Sequence, residues 1–249
     1  MLRRALRSLN EEFGTDKTVD DKTLLTLASA AGGDIRMSIG ILENAYYIAA
    51  DAIGEGDVHA LLPEVVGSFD REGDVHYDLL SCLQKSIRGS DPHAAIFYLS
   101  RLLAGGDLIS ACRRLQVIAS EDIGCAYPMA AVITRACVES AKELGLPEAA
   151  IPLANATVIL ATAPKSNSAY EAFAAAREDF EKGLGQSIPT HLRSPQFKGY
   201  LYPHSYPNHY VEQQYLPDDI KDKTYYTFGT NKTEQAAKAY YDMIRTKMK

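Results

Sequence analysis

Asp107-Leu108-Ile109-Ser110-Ala111-Cys112-Arg113-Arg114-Leu115-Gln116-Val117-Ile118-Ala119-Ser120-Glu121-Asp122-Ile123-Gly124-Cys125-Ala126-Tyr127-Pro128 is the stretch on which the fold turns. Two glycines precede Asp107, whose carboxylate can cap a helix start. Leu108, Cys112, Leu115, Ile118 and Ala119 recur at helical spacing, and Gly124 and Pro128 close the element. On a 3.6-residue period Arg114, Ile118 and the Glu121–Asp122 pair share one side. Ionised groups beside an apolar stripe are costly unless paired. Two readings stand side by side: an arginine snorkelling at the rim of the core, or a polar network at a contact between helices or subunits.

Helical patterns extend outward from this stretch in both directions, and alternating strands are absent. Upstream, Asp20 caps an expected helix with Leu24, Leu27, Ala28 and Ala31 inward. Asp34 caps a longer one whose stripe runs Ile35, Ile39, Leu42, Tyr46, Ala49 and Ile53. Val58 to Arg71 reads as a short helix and a connection. Asp74 then opens a helix with Leu79, Leu80, Leu83 and Ile87 inward, and Asp91-Pro92 is a cap followed by proline in the first turn. Downstream, Pro128 begins a helix ended by Gly145. After Pro152 comes one apolar nearly all round, Leu153 to Ala161, as in a helix buried in a core or at a subunit contact. Ser166 to Ser168 cap the next. Short glycine–aspartate turns imply antiparallel neighbours.

From Pro189 to Thr230 the chain turns rich in proline, glycine, tyrosine and histidine. Its aromatics are too many to leave in water, so the expectation is a strap laid over the helical body, followed by a helix from Thr233 to Met248.

The chain has 249 residues, 46% of them hydrophobic, enough for a real core in one large domain or two smaller ones. A net charge of -6 argues against general nucleic-acid binding. Cys82, Cys112, Cys125 and Cys137 form no C-x-x-C pair and read as reduced core residues of a cytosolic protein. No apolar run reaches the length of a membrane span.

Gly33-Asp34-Ile35-Arg36 carries the clearest chemistry. Arg36 falls in the first turn of its helix, where the dipole disfavours a cation, and off the apolar stripe. An arginine beside free backbone N–H groups suits a phosphate; a surface arginine paired with Asp34 or Glu43 is the plainer alternative. No G-x-x-x-x-G-K-[ST] loop occurs. Gly14-Thr15-Asp16-Lys17-Thr18 and Gly229-Thr230-Asn231-Lys232-Thr233 have the wrong spacing, and Pro164-Lys165-Ser166 lacks the glycines. His204 and His209 alone do not make a metal site.

Several long motifs resemble one family. Gly33 to Arg36, followed by Met37-Ser38-Ile39-Gly40-Ile41-Leu42-Glu43, is similar to the sensor-2 segment in the lid of AAA+ ATPases. Asp74-Val75-His76-Tyr77-Asp78, Lys85 to Pro92, Ala119 to Gly124, Ala161 to Ser168, Tyr206-Pro207-Asn208 and Val211 to Pro217 resemble, in order, the replication-associated recombination protein A family, which includes the Werner helicase-interacting ATPase. The resemblance implies a homotetrameric, clamp-loader-related ATPase at stalled replication forks, hydrolysing ATP with magnesium under stimulation by DNA and touching single-strand-binding protein. Arg36 would be the sensor-2 arginine. Met37-Ser38 departs from the commoner family text.

The expectation is therefore an all-α chain: an AAA+ lid bundle over 1–57, a connection over 58–72, a collar-like helical oligomerisation domain over 73–188, and an irregular strap with a C-terminal helix over 189–249. It reads as the lid and tetramerisation region of a DNA-dependent ATPase in fork maintenance, recombination and repair, in the bacterial cytosol or nucleoid. Lacking the ATPase core, it would bind no nucleotide or metal alone and would not be an enzyme. Arg114, Glu121, Asp122, Val158 and Ile159 are the expected interface residues. The alternative is a helical adaptor that binds protein partners without assembling a ring.

Overall fold

A computed structural model describes residues 1–31, 35–61, 74–194 and 199–246. Gly33, Asp34, most of the 58–72 connection, Phe197, Lys198 and Met248 lie outside them. The described chain is all-α apart from one two-stranded sheet. It divides into two compact units, 1–118 with 131–162, and 119–130 with 163–249.

The first unit begins with a small bundle: α1 (Leu2–Phe13), α2 (Asp21–Ala30), α3 (Ile35–Ile48) and α4 (Glu55–Leu61). Asp20 caps α2 as its sequence predicts, accepting from the Thr23 amide at 2.7 Å. Leu27, Leu42, Tyr46, Ile53 and Val58 form the core, each almost wholly removed from water. The stripe expected along one long helix is broken: α3 stops at Ile48, Ile35 is exposed, and Ile53 comes from a strand. The reason is Lys17. Its ammonium donates to the Tyr46 and Ala49 carbonyls at 2.8 and 2.6 Å, satisfying the end of α3 and completing its C-terminus. The chain then pairs Ala52–Ile53 (β2) in parallel with Thr18–Val19 (β1). Two-residue strands leave no alternation for a sequence reading to find.

Five helices follow, in the same unit but for the first two residues of the fourth: α5 (Asp74–Arg88), α6 (Pro92–Ala104), α7 (Leu108–Ile118), α8 (Met129–Leu144) and α9 (Ala150–Thr162). The hub is α6, against which α5, α7 and α9 pack. Leu83, Ile87, Leu102, Leu115, Ile118, Leu153 and Leu160 are buried completely, each contributing about 1.5–3 kcal/mol of transfer free energy. The Lys85–Pro92 stretch is the corner between α5 and α6. The Gly89 amide returns to the Lys85 carbonyl at 2.8 Å, and Asp91 caps α6 by accepting from His93 and Ala94 amides at 3.0 and 2.9 Å. Asp107 caps α7 through the Ser110 amide, while its other oxygen lies 3.0 Å from Nδ1 of buried His76. The Asp74–Asp78 stretch thereby ties α5 to the start of α7.

The second unit has a different texture. The stretch read as one helix from Asp107 leaves α geometry at Ile118, becoming a π-helical turn over Ala119–Ile123 and a 3-10 turn over Gly124–Ala126. Its other helices are α10 (Ser168–Glu181) and α11 (Lys232–Arg245), joined by the strap. The strap's tyrosines divide: Tyr200 and Tyr210 are half-buried, whereas Tyr202, Tyr206 and Tyr215, expected under cover, are exposed. Polar side chains hold it instead. Gln213 brackets the Leu201 backbone, accepting from its amide at 3.1 Å and donating to its carbonyl at 2.7 Å. Gln214 donates to the Leu216 carbonyl and the Asp218 carboxylate, both at 2.8 Å.

Candidate functional site

Arg36 lies in the first turn of α3 with its side chain exposed. With Ile35 and Met37 it lines a cleft of about 720 Å³ whose other wall is Leu108, Ile109 and the segment from Lys142 to Glu148. Arg36 and Lys142 supply two positive charges there, and Glu143 and Glu148 supply two negative ones. Among the described residues the lining charges balance.

The five expected interface residues are distributed over both units. Arg114 donates to Gln84 of α5 at 2.7 Å, so within its own unit it bridges α7 to α5. Asp122 is buried in the π turn and its carbonyl accepts from the Ser166 amide at 2.9 Å. Glu121 precedes it, half-buried. Val158 and Ile159 lie on α9, Val158 exposed and Ile159 half-buried. That helix is not buried all round: Leu153, Ala156, Thr157, Leu160 and Ala161 face inward, while Ile151, Asn155 and Val158 face out.

The most developed constellation escaped the sequence reading. Glu234, in the first turn of α11, is 1% exposed. Its carboxylate accepts from Ser168 Oγ at 2.6 Å, Tyr226 Oη at 2.9 Å, the Gly229 amide at 3.0 Å and the Asn231 side-chain amide. Asn231 in turn caps α11 through the Glu234 amide at 2.9 Å. Burial alone would raise the carboxyl's pKa, but donors from Ser166, Ser168, Gly229 and Asn231 outweigh it and hold it at about 2. Burial, then the hydrogen bond to Glu234, push the Tyr226 hydroxyl up to about 12. Gly229 must be glycine, because a Cβ there would come within 2.5 Å of Glu234 Oε2. A carboxylate with this many donors is a clamp, not a proton acceptor for catalysis. The signal that could have found it is local: Asn231 followed three residues later by a glutamate is capping-box spacing.

The three lysine-bearing stretches of wrong spacing all have structural work. Gly14 ends α1 in the left-handed region at φ 64°, and Lys17 finishes α3. Gly229 to Thr233 contains the α11 cap. Lys165 donates to the Ala163 carbonyl at 2.6 Å, and burial lowers its pKa against the pull of Asp122. The Gly124 backbone, at φ 43°, passes so close to the Ser166 carbonyl that a Cβ would sit 3.1 Å from it. Thus the two motifs Ala119–Gly124 and Ala161–Ser168 meet through main-chain contacts. His204 and His209 have ring centroids 5.1 Å apart, and no group of three metal-ligating side chains occurs among the described residues. The cysteines are free. No helix among the described residues is long and apolar enough to cross a membrane.

The described residues thus hold a small helical bundle with Arg36 at the start of its third helix, followed by a larger set of helices, and the sequence of the same region places it among AAA+ ATPase C-terminal portions. The profile described as AAA C-terminal domain matches residues 14–88, and that of MgsA AAA+ ATPase C terminal matches 89–245. The chain belongs to the latter family. It is 42% identical, over 98% of its length, to Replication-associated recombination protein A of Bacillus subtilis, covering 62% of that protein. Against the protein of the same name from Escherichia coli K12 the identity is 37% over 88% of the chain and 53% of the relative. Against ATPase WRNIP1 of Dictyostelium discoideum it is 31%, over 84% of the chain and 28% of the relative. The chain thus spans from under a third to just under two thirds of these relatives.

Proposed function

We propose that this chain is the lid and tetramerisation region of a DNA-dependent AAA+ ATPase that maintains replication forks through recombination and repair. The observation that carries the reading is the match along nearly the whole chain to Replication-associated recombination protein A. The lid bundle supplies Arg36, which reaches the phosphates of ATP and magnesium held by an ATPase core. The exposure of Arg36 in the first turn of α3 supports this role. The helical collar joins copies into a homotetramer; of the five expected interface residues Glu121, Val158 and Ile159 have surface to offer, while Asp122 is buried and Arg114 is bonded to Gln84 within the chain. DNA and single-strand-binding protein are partners of the whole ATPase, and its location is the cytoplasm.

The test is the solution mass of the chain by light scattering at micromolar concentration, together with its ATP turnover. A tetramer without turnover is expected. A monomer overturns the assembly role, and turnover by this chain overturns the division of labour. The second reading, a helical adaptor, draws on the apolar residues of the cleft that Arg36 lines, Ile35, Met37, Leu108, Ile109 and Leu144. It predicts a monomer that binds an amphipathic peptide.

A further inference from the structure

Helix α10 runs for 14 residues without one buried side chain. Its exposed apolar side is aromatic: Tyr170, Phe173 and Phe180 are 54%, 67% and 63% exposed. At spacings of three and seven residues they form a single stripe, with Arg177 between Phe173 and Phe180. The opposite side is engaged within the second unit. There Asp179 accepts from Tyr225 Oη at 2.9 Å and from Lys223 Nζ at 3.0 Å. The helix is therefore anchored through Asp179, beside the half-buried Ala172 and Ala176, and presents its rings outward. Burial pushes against leaving so much ring surface wet, and an amphipathic helix normally turns its apolar side to its own core.

We infer that this stripe is a two-fold contact with α10 of a second copy of the chain, which rests on the self-association reading above and assigns it a surface. Three features favour a second copy. The stripe is self-complementary: a two-fold axis crossing at the level of Ala175 sets Tyr170 level with Phe180 of the second copy, and Phe173 level with Arg177 of the second copy. That arrangement offers aromatic contacts and a guanidinium over a ring. The rings leave roughly 350 Å² of aromatic surface open per copy, so two such faces bring together roughly 700 Å² of ring surface, more than half of the roughly 1,200 Å² at which stable interfaces begin. Charge disfavours nucleic acid or an anionic membrane. The helix carries Glu171, Glu178, Asp179 and Glu181 against Arg177, and Glu181 is 3.3 Å from the Arg177 guanidinium.

The experiment is sedimentation equilibrium on the whole chain and its variants, with circular dichroism to confirm unchanged helix content. Phe173→Arg sets like charges level across the axis and is expected to halve the mass. Phe173→Glu, level with Arg177, is expected to be milder, and Phe173→Arg combined with Arg177→Glu to return the mass to that of the parent. If the parent is an oligomer and Phe173→Arg leaves its mass unchanged, or Arg177→Glu fails to rescue it, this assignment falls while self-association stands. A parent chain that is already monomeric removes both. Loss of assembly in Val158→Arg alone, with Phe173→Arg unaffected, overturns the α10 contact in favour of α9.

Discussion

Helices α9 and α10 are consecutive, 13 and 14 residues long, and opposite in how they relate to their own chain. The first buries five residues against the bundle around α6; the second buries none. Both carry bulky apolar side chains, so composition does not explain the difference. What differs is the kind of bond that holds each. Apolar surface removed from water holds α9 in place. Near its two ends α10 is held by hydrogen bonds, Ser168 donating to Glu234 and Tyr225 donating to Asp179. The same contrast runs through the two units: the first has an ordinary leucine core, whereas the second closes around a buried carboxylate. A helix held by hydrogen bonds near its ends is free to spend its rings on something else.

Three substitutions would break or sharpen this contrast. The largest effect is expected in α9, where Leu160→Ala should destabilise the first unit by about 2–5 kcal/mol, read as a lowered denaturant midpoint. A change below half a kcal/mol would mean that α9 is not core. Next comes Glu234→Gln, which turns a good acceptor into an amide facing donors and should cost about 1–3 kcal/mol. It has a pH signature as well. The folded carboxyl sits at about 2, below the ordinary 4.5 of glutamate, so its contribution is complete above 4.5 and is lost as pH falls toward 2. Parent and variant unfolding curves should therefore converge in acid and diverge toward neutrality; parallel curves would count against the clamp. The smallest effect is expected for Phe173→Ala, measured at a concentration low enough to keep copies apart. An exposed ring should change stability by no more than about 0.5 kcal/mol. A loss of several kcal/mol would show that α10 is covered by its own chain after all.

Much of the fold was legible because its signals are local. Asp20, Asp91 and Asp107 each cap the helix that their position announces, since a side chain bonding an amide two or three residues on needs nothing from the rest of the chain. The stripes through Leu83 and Ile87, and through Leu99 and Leu102, are buried as their period implies. Three readings went astray for physical reasons. The stripe ending in Ile53 assumed one continuous helix, but Lys17, 29 residues before Tyr46, ends it early. The 3.6-residue period carried past Ile118 meets a π turn, which shifts the register of every residue after it. Tyr202, Tyr206 and Tyr215 of the strap were expected under cover because of their bulk, yet Gln213 and Gln214 bond its backbone well enough to leave these three rings outside.

By itself the sequence determined the helical class, the caps, the chain-long family likeness and the place of Arg36 at the head of its helix, because each depends on neighbours within a turn or two. Only the tertiary structure decided that Glu234 meets Ser168 across 66 residues, that Arg114 is spoken for by Gln84, and that the rings of α10 face outward. Hydrophobicity says that a side chain prefers to leave water. It carries no information on which surface will receive it, and that is set by where distant hydrogen bonds pin the backbone.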